Sequence, residues 1–200
     1  DAAGNELNCR PEVFAHSFRY LREFGGLRRT YHVGEDFYDL IDGLRAIDEA
    51  VIFLELGKKD RLGHALALGV NPYYYYNHRR YNVVMPQQNL LDNYVWLYHQ
   101  IKANDIKTPS SLLLDLENRA SFLYYQIGYK DFSMLKCWHA WLLRGEDDTE
   151  ENDSPWGKTA FSKCAIIKNA RLDTKAVEVN QQYNHNPQIK QHGARATEEI

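Results

Sequence analysis

Thr30-Tyr31-His32-Val33-Gly34-Glu35 and Asp60-Arg61-Leu62-Gly63-His64-Ala65, with one long helical stretch between them, decide the fold. Arg29 to Val33 is short and mixes aromatic with β-branched residues, which predicts a buried strand. Asp36 to Leu56 is the clearest helix of the chain. Leu40, Ile41, Leu44, Ile47, Val51 and Leu54 fall on one stripe, and Asp39, Asp42, Asp48 and Glu49 lie opposite. Gly57-Lys58-Lys59-Asp60 reads as a turn, and Arg61 to Ala65 as a second short strand. Strand, helix, strand with short connectors is a βαβ unit, which implies a parallel sheet or barrel.

Working outward, Pro11 suits the first position of a helix that Gly25-Gly26 ends, with Val13, Phe14, Phe18 and Leu21 at helical spacing. The opening Asp1-Ala2-Ala3-Gly4-Asn5-Glu6 reads as a strand end or active-site loop. The chain is therefore expected to be an internal piece of a larger protein. On the other side, Tyr73 to Tyr76 with His78, Arg79 and Arg80 form an aromatic, basic stretch. It could stack bases or grip phosphates, or it could simply start a helix with tyrosines on the barrel wall.

Beyond it the pattern is helical. Pro86 to Ala103 carries Leu90, Leu91, Tyr94, Leu97, Tyr98 and Ile101. Ser110 can cap a helix with Leu113, Leu114, Leu116, Leu123 and Ile127, and Ser133 another through Leu135, Trp138, Trp141 and Leu142. Glu146 to Asp153 is acidic and reads as a loop, followed by weaker helix candidates at Trp156 to Ala170 and Thr174 to Tyr183. The fold class is thus α/β: a partial TIM (β/α) barrel segment over 1–84, then a mainly helical insertion over 85–200 with an acidic linker near 145–155.

Composition narrows the function. A chain of 200 residues that is 44% hydrophobic can bury a core, and a net charge of −3 argues against a dedicated nucleic-acid surface. Cys9, Cys137 and Cys164 are odd in number and far apart, so neither a disulfide framework nor a metal clip is read from them. A cytoplasmic setting follows as the default. No apolar run approaches the ~20 residues of a membrane helix.

In parallel α/β architectures reactive groups gather at the C-terminal ends of strands. His32 and His64 end two neighbouring predicted strands, so their imidazoles share one rim, where either could bind a metal or move a proton. Glu35 follows within a tight glycine turn. A carboxyl partly buried there would titrate upward, as a proton donor needs. Taken singly, each has a plainer explanation: a histidine near a strand end is more often structural, and Glu35 could be an acid at the N-terminus of the following helix.

Together, His32-Val33-Gly34-Glu35, the long helix and Arg61-Leu62-Gly63-His64 resemble the adenosine and AMP deaminase family, which shows His-Ala-Gly-Glu, a helix, then Arg-Ile/Val-Gly-His-Gly. The opening Asp1 to Glu6 resembles the Asp-Leu-Ala-Gly-x-Glu that precedes them. The resemblance covers roughly the first third of the chain. It implies a TIM barrel with one divalent metal ion, usually zinc, that hydrolytically deaminates adenosine or an adenine nucleotide to the hypoxanthine form.

By position, His32 resembles a metal ligand, and Glu35 the acid that protonates the purine ring. His64 resembles the group that orients and deprotonates the attacking water, and Gly4 the backbone position beside the purine. Val33 stands where the family has Ala, and Ala65 where it has Gly, which narrows the pocket. The family's His-x-His is absent from these residues, and the one Asp pair, Asp147-Asp148, sits in the acidic run rather than on a strand. The 200 residues alone are expected to hold zinc weakly and to be inactive. The cytidine-type signature, His-x-Glu with Pro-Cys-x-x-Cys, does not occur.

The rival expectation is a catalytically decayed barrel used as an oligomerisation or protein-interaction scaffold, with Trp138 and Trp141 at an interface. Both readings expose helix faces and strand edges, and both allow a homo-oligomer.

Overall fold

A computed structural model describes residues 4–145 together with 178, 179 and 183. It is mixed α/β and mostly helical, with two short parallel strands among the described residues. These residues fall into two compact units, one of 4–84 with 144 and 145, the other of 85–143 with 178, 179 and 183. The acidic run and the helix candidate at Trp156 to Ala170 lie outside the described residues. Of the Thr174 to Tyr183 candidate, 178, 179 and 183 are described and are helical.

The first unit runs α1 (Pro11–Glu23), β1 (Thr30–Val33), α2 (Leu40–Phe53), β2 (Arg61–His64), a 3-10 turn (Leu66–Gly69) and α3 (Pro72–His78). β1 and β2 pair in parallel, Thr30 against Arg61 through Val33 against His64. Parallel neighbours need a crossover, and α2 supplies it. On β1, Tyr31 and Val33 face inward, and Tyr31 packs edge-on against Phe14 and Phe18 of α1. The face that α1 buries carries Pro11, Ala15, Phe18 and Arg19; Val13, placed on the core stripe by spacing, is 64% exposed. The apolar spacing also fitted a second face, and packing on Tyr31 selects between them.

The α2 helix departs further from its pattern. Asp42 and Glu49, expected opposite the core, are fully buried, whereas Val51 from the apolar stripe is 41% exposed. The cause is Arg45, whose guanidinium reaches back to Asp42 at 2.8 Å and forward to Glu49, while Arg10 reaches Asp42 from the start of α1. Charges at i, i+3 and i+7 neutralise one another, so this face can enter the core as an ionic row. Glu35 precedes the first residue of α2 by five positions, so it is not an N-terminal acid of that helix.

Asn71 caps α3 by accepting from the Tyr74 amide. Tyr75 and Tyr76 turn onto the entry to α2: Tyr76 Oη donates to Asp39 at 3.2 Å, and the Arg79 guanidinium stacks 4.7 Å from the Tyr75 ring. Tyr73 and Tyr74 remain exposed.

The second unit packs α4 (Gln87–Ala103), α5 (Ser110–Ile127) and α6 (Met134–Leu142) around Leu91, Val95, Ala120, Leu123, Tyr124, Tyr129, Met134 and Cys137. Ser133 caps α6 as its sequence suggests; Ser110 is instead the first residue of α5, behind Pro109. Trp138 is sandwiched between His99 and Trp141, at centroid distances of 4.6 and 4.7 Å. Burial pushes the His99 pKa down to about 4, so this ring is a neutral packing element at pH 7. No helix among the described residues is long and apolar enough to cross a membrane.

The ionic row of α2 generates a stability prediction. Arg45→Met removes the buried cation that Asp42 and Glu49 share, leaving Arg10 on Asp42, and is expected to cost about 3–5 kcal/mol, read as a shift of the denaturant midpoint with unchanged slope. A loss below about 1 kcal/mol would show that water reaches these carboxylates.

Candidate functional site

The parallel register sets the site. With His32 opposite Gly63, and Val33 opposite His64, the two imidazoles emerge from adjacent strands at one end of the pair. Their ring centroids lie 4.9 Å apart in an edge-to-face arrangement. Gly63 permits this: a Cβ there would sit 2.9 Å from His32 Cγ, closer than side chains tolerate. Beyond β2 the chain turns sharply, with His64 at φ 60° and Ala65 at φ 49°, in the left-handed region that non-glycine residues avoid. Ala65 N then donates to Val33 O at 3.0 Å and Ala67 N to Gly34 O at 2.9 Å, which locks the two strand-end loops together.

Gly34 makes the other turn at φ 82°; a Cβ there would press on Ile47 and on the Ala65 backbone. The turn brings Glu35 back so that its Oε2 lies 3.2 Å from His64 Nε2. Glu35 and His64 are 46% and 40% exposed, so each keeps about half of its side chain in contact with solvent. An exposed contact of this kind contributes only about 0–1 kcal/mol to stability.

The buried acid is Glu6, which sequence reasoning had not assigned a role. It is 7% exposed, and its Oε2 accepts from the Gly34 amide at 2.6 Å and the Glu35 amide at 3.2 Å. Burial raises its pKa, against the amides of Gly34, Glu35 and Asp36, which favour the charged form. The one sequence signal for it is its position as the acid closing the opening motif. Residues 5–9 form a turn around it, and Tyr31 Oη donates to Cys9 O at 3.2 Å, holding that turn to β1. Gly4 is exposed, and a Cβ there would meet Cys9 Cβ at 3.8 Å, so packing among the described residues does not demand glycine.

The structure therefore brings His32, Glu35 and His64 together and adds Glu6 beneath them. As a metal centre the group is incomplete. Among the described residues no three His, Cys, Asp or Glu side chains converge to hold a metal ion, and His64 Nε2 faces Glu35. A catalytic zinc takes three protein ligands and keeps a position open, so the described residues by themselves do not fit one. Asp147 and Asp148 lie outside the described residues. A cleft of about 510 Å³ opens near the other end of the strands, lined by Arg22, Phe24, Leu27, Val51 and Lys58 among others. Its acids are committed, Glu55 to Arg22 and Asp60 to Arg29, and no histidine lines it.

Two substitutions separate the close approach from the strained turn. Gly63→Ala forces the His32 ring aside and is expected to cost about 1–3 kcal/mol, with a shifted His32 ring resonance by NMR. Ala65→Gly relieves a left-handed alanine and is expected to leave stability unchanged or raise it by up to about 1 kcal/mol. Destabilisation by the second, or silence of the first, would contradict this geometry. Compared with known protein families and with curated proteins, the chain matches none.

Proposed function

We propose that this chain carries the acid–base part of a hydrolytic deaminase acting on adenosine or an adenine nucleotide, within a (β/α)-barrel that other residues complete. The observation that carries the reading is the Glu35–His64 contact of 3.2 Å, beside His32, at the shared end of two parallel strands. It is supported by cost. Two left-handed non-glycine residues at the end of β2 are costly, while the exposed contact they create adds little stability.

In this reading Glu35 donates its proton to the purine ring nitrogen beside the amino-bearing carbon, which makes that carbon electrophilic. His64 takes a proton from water as the water oxygen bonds to the carbon. The carbon–nitrogen bond to the amino group then breaks. The proton held by His64 leaves with the nitrogen as ammonia, and the remaining hydroxyl proton returns to Glu35 as the carbonyl forms. His32 is the metal ligand of the resemblance. The zinc implied with it would need donors beyond the described residues, and the proton steps above do not run through it.

The test is deamination of adenosine and of ATP by the intact protein, followed as the inosine product. His32→Ala and Glu35→Gln are each expected to lower the rate by about 10²-fold or more. A folded, zinc-supplied protein that deaminates neither substrate would favour the scaffold reading instead.

A further inference from the structure

Glu6 is a buried carboxylate whose hydrogen-bond partners are consecutive backbone amides rather than a cation. The Gly34 amide donates to Oε2 at 2.6 Å, and the Glu35 amide to Oε2 at 3.2 Å and Oε1 at 3.4 Å. Both amides stand where β1 has ended and the left-handed Gly34 turn begins, so no strand ladder takes them. Successive amides on one anion make a stiff cradle, because charge-assisted hydrogen bonds are about twice as strong as neutral ones.

We propose that Glu6 is the positioning residue of this site, holding the Gly34–Glu35 turn from below so that the Glu35 carboxylate meets His64. The assignment rests on the deaminase reading and adds to it a residue that acts through the backbone of the Gly34–Glu35 turn. Without Glu6 the turn retains Ala67 N on Gly34 O and Ala65 N on Val33 O. Those bonds hold the carbonyl edges of the Val33–Gly34 and Gly34–Glu35 peptide planes, and Glu6 holds their N–H edges, so its loss leaves each plane anchored on one side only. Misplacing a reacting group by an ångström lowers a rate on the order of 10²-fold, so the loss should fall on kcat and leave KM nearly unchanged.

The experiment is a double-mutant cycle in the intact protein, joined to amide hydrogen exchange. Glu6→Ala is expected to lower kcat on the order of 10²-fold in the wild-type background but by less than about 3-fold in a Glu35→Gln background, since Glu6 acts through Glu35. Glu6→Gln, which keeps one acceptor oxygen and the side-chain volume, should fall between, and it replaces Glu6→Ala if that variant does not fold. Exchange at Gly34 and Glu35 should quicken at least about 10-fold in either variant, with Tyr31 and Val33 unchanged. Equal losses in both backgrounds, or unchanged exchange at Gly34 and Glu35, would overturn the proposal. A wild type that deaminates nothing would defeat the deaminase reading, and the exchange result alone would then decide whether Glu6 holds the turn.

Discussion

Arg29 holds the lower end of the strand pair, and everything at the upper end depends on it. Its buried guanidinium donates to Phe18 O at the middle of α1, to Leu54 O and Glu55 O past the end of α2, and to Asp60 just before β2. One side chain thus ties both helices and both strands of the βαβ unit. Its own amide also binds Asp60 at 2.9 Å, and Arg61 N donates to Arg29 O at 2.9 Å, which sets the first rung of the ladder. Burial would raise the Asp60 pKa, but the hydrogen bonds from Arg29 and the Gly57 amide hold it below the usual carboxylate range. From that rung the register runs up to His32 over Gly63. A slip of one residue would put a side chain under the imidazole and turn His64 to the other face.

The buried, paired charges and the proposed site therefore occupy opposite ends of the same two strands. At the lower end, charges are buried and paired. At the upper end, Glu35 and His64 stay half-exposed, the backbone is left-handed at Gly34, His64 and Ala65, and the buried acid Glu6 holds amides. Ligands of open parallel sheets meet the carboxyl ends of strands because the loops there are free to carry function while the ladder keeps them in place. The ionic row of Asp42, Arg45 and Glu49 then fixes α2 behind that end.

Much of this was legible in the residues. The apolar runs and the turn at Gly57 to Asp60 announced a βαβ unit, and the unit alone places His32 beside His64. What composition and periodicity did not disclose was environment. An acidic face on α2 carries the same period whether water or an arginine neutralises it, so Asp42 and Glu49 read as solvated. Val13 and Ala15 compete for the core by a rotation of α1 that only contact with Tyr31 resolves. Glu6 was hidden for a different reason: its partners are main-chain amides, which leave no mark on the sequence. The strain at His64 and Ala65 was likewise invisible, because nothing in an alanine after a histidine signals a left-handed turn.

The account stands on Glu35 and His64 acting together on a purine ring. The most direct measurement is the affinity of the intact protein for a purine ribonucleoside bearing a tetrahedral hydroxyl-substituted carbon at the position of attack, in wild type and in Glu35→Gln. A site built for that geometry binds the analogue at least about 10²-fold more tightly than inosine, and loses the preference when Glu35 cannot protonate the ring. Equal binding of the analogue and inosine, or a preference that survives Glu35→Gln, would contradict the account.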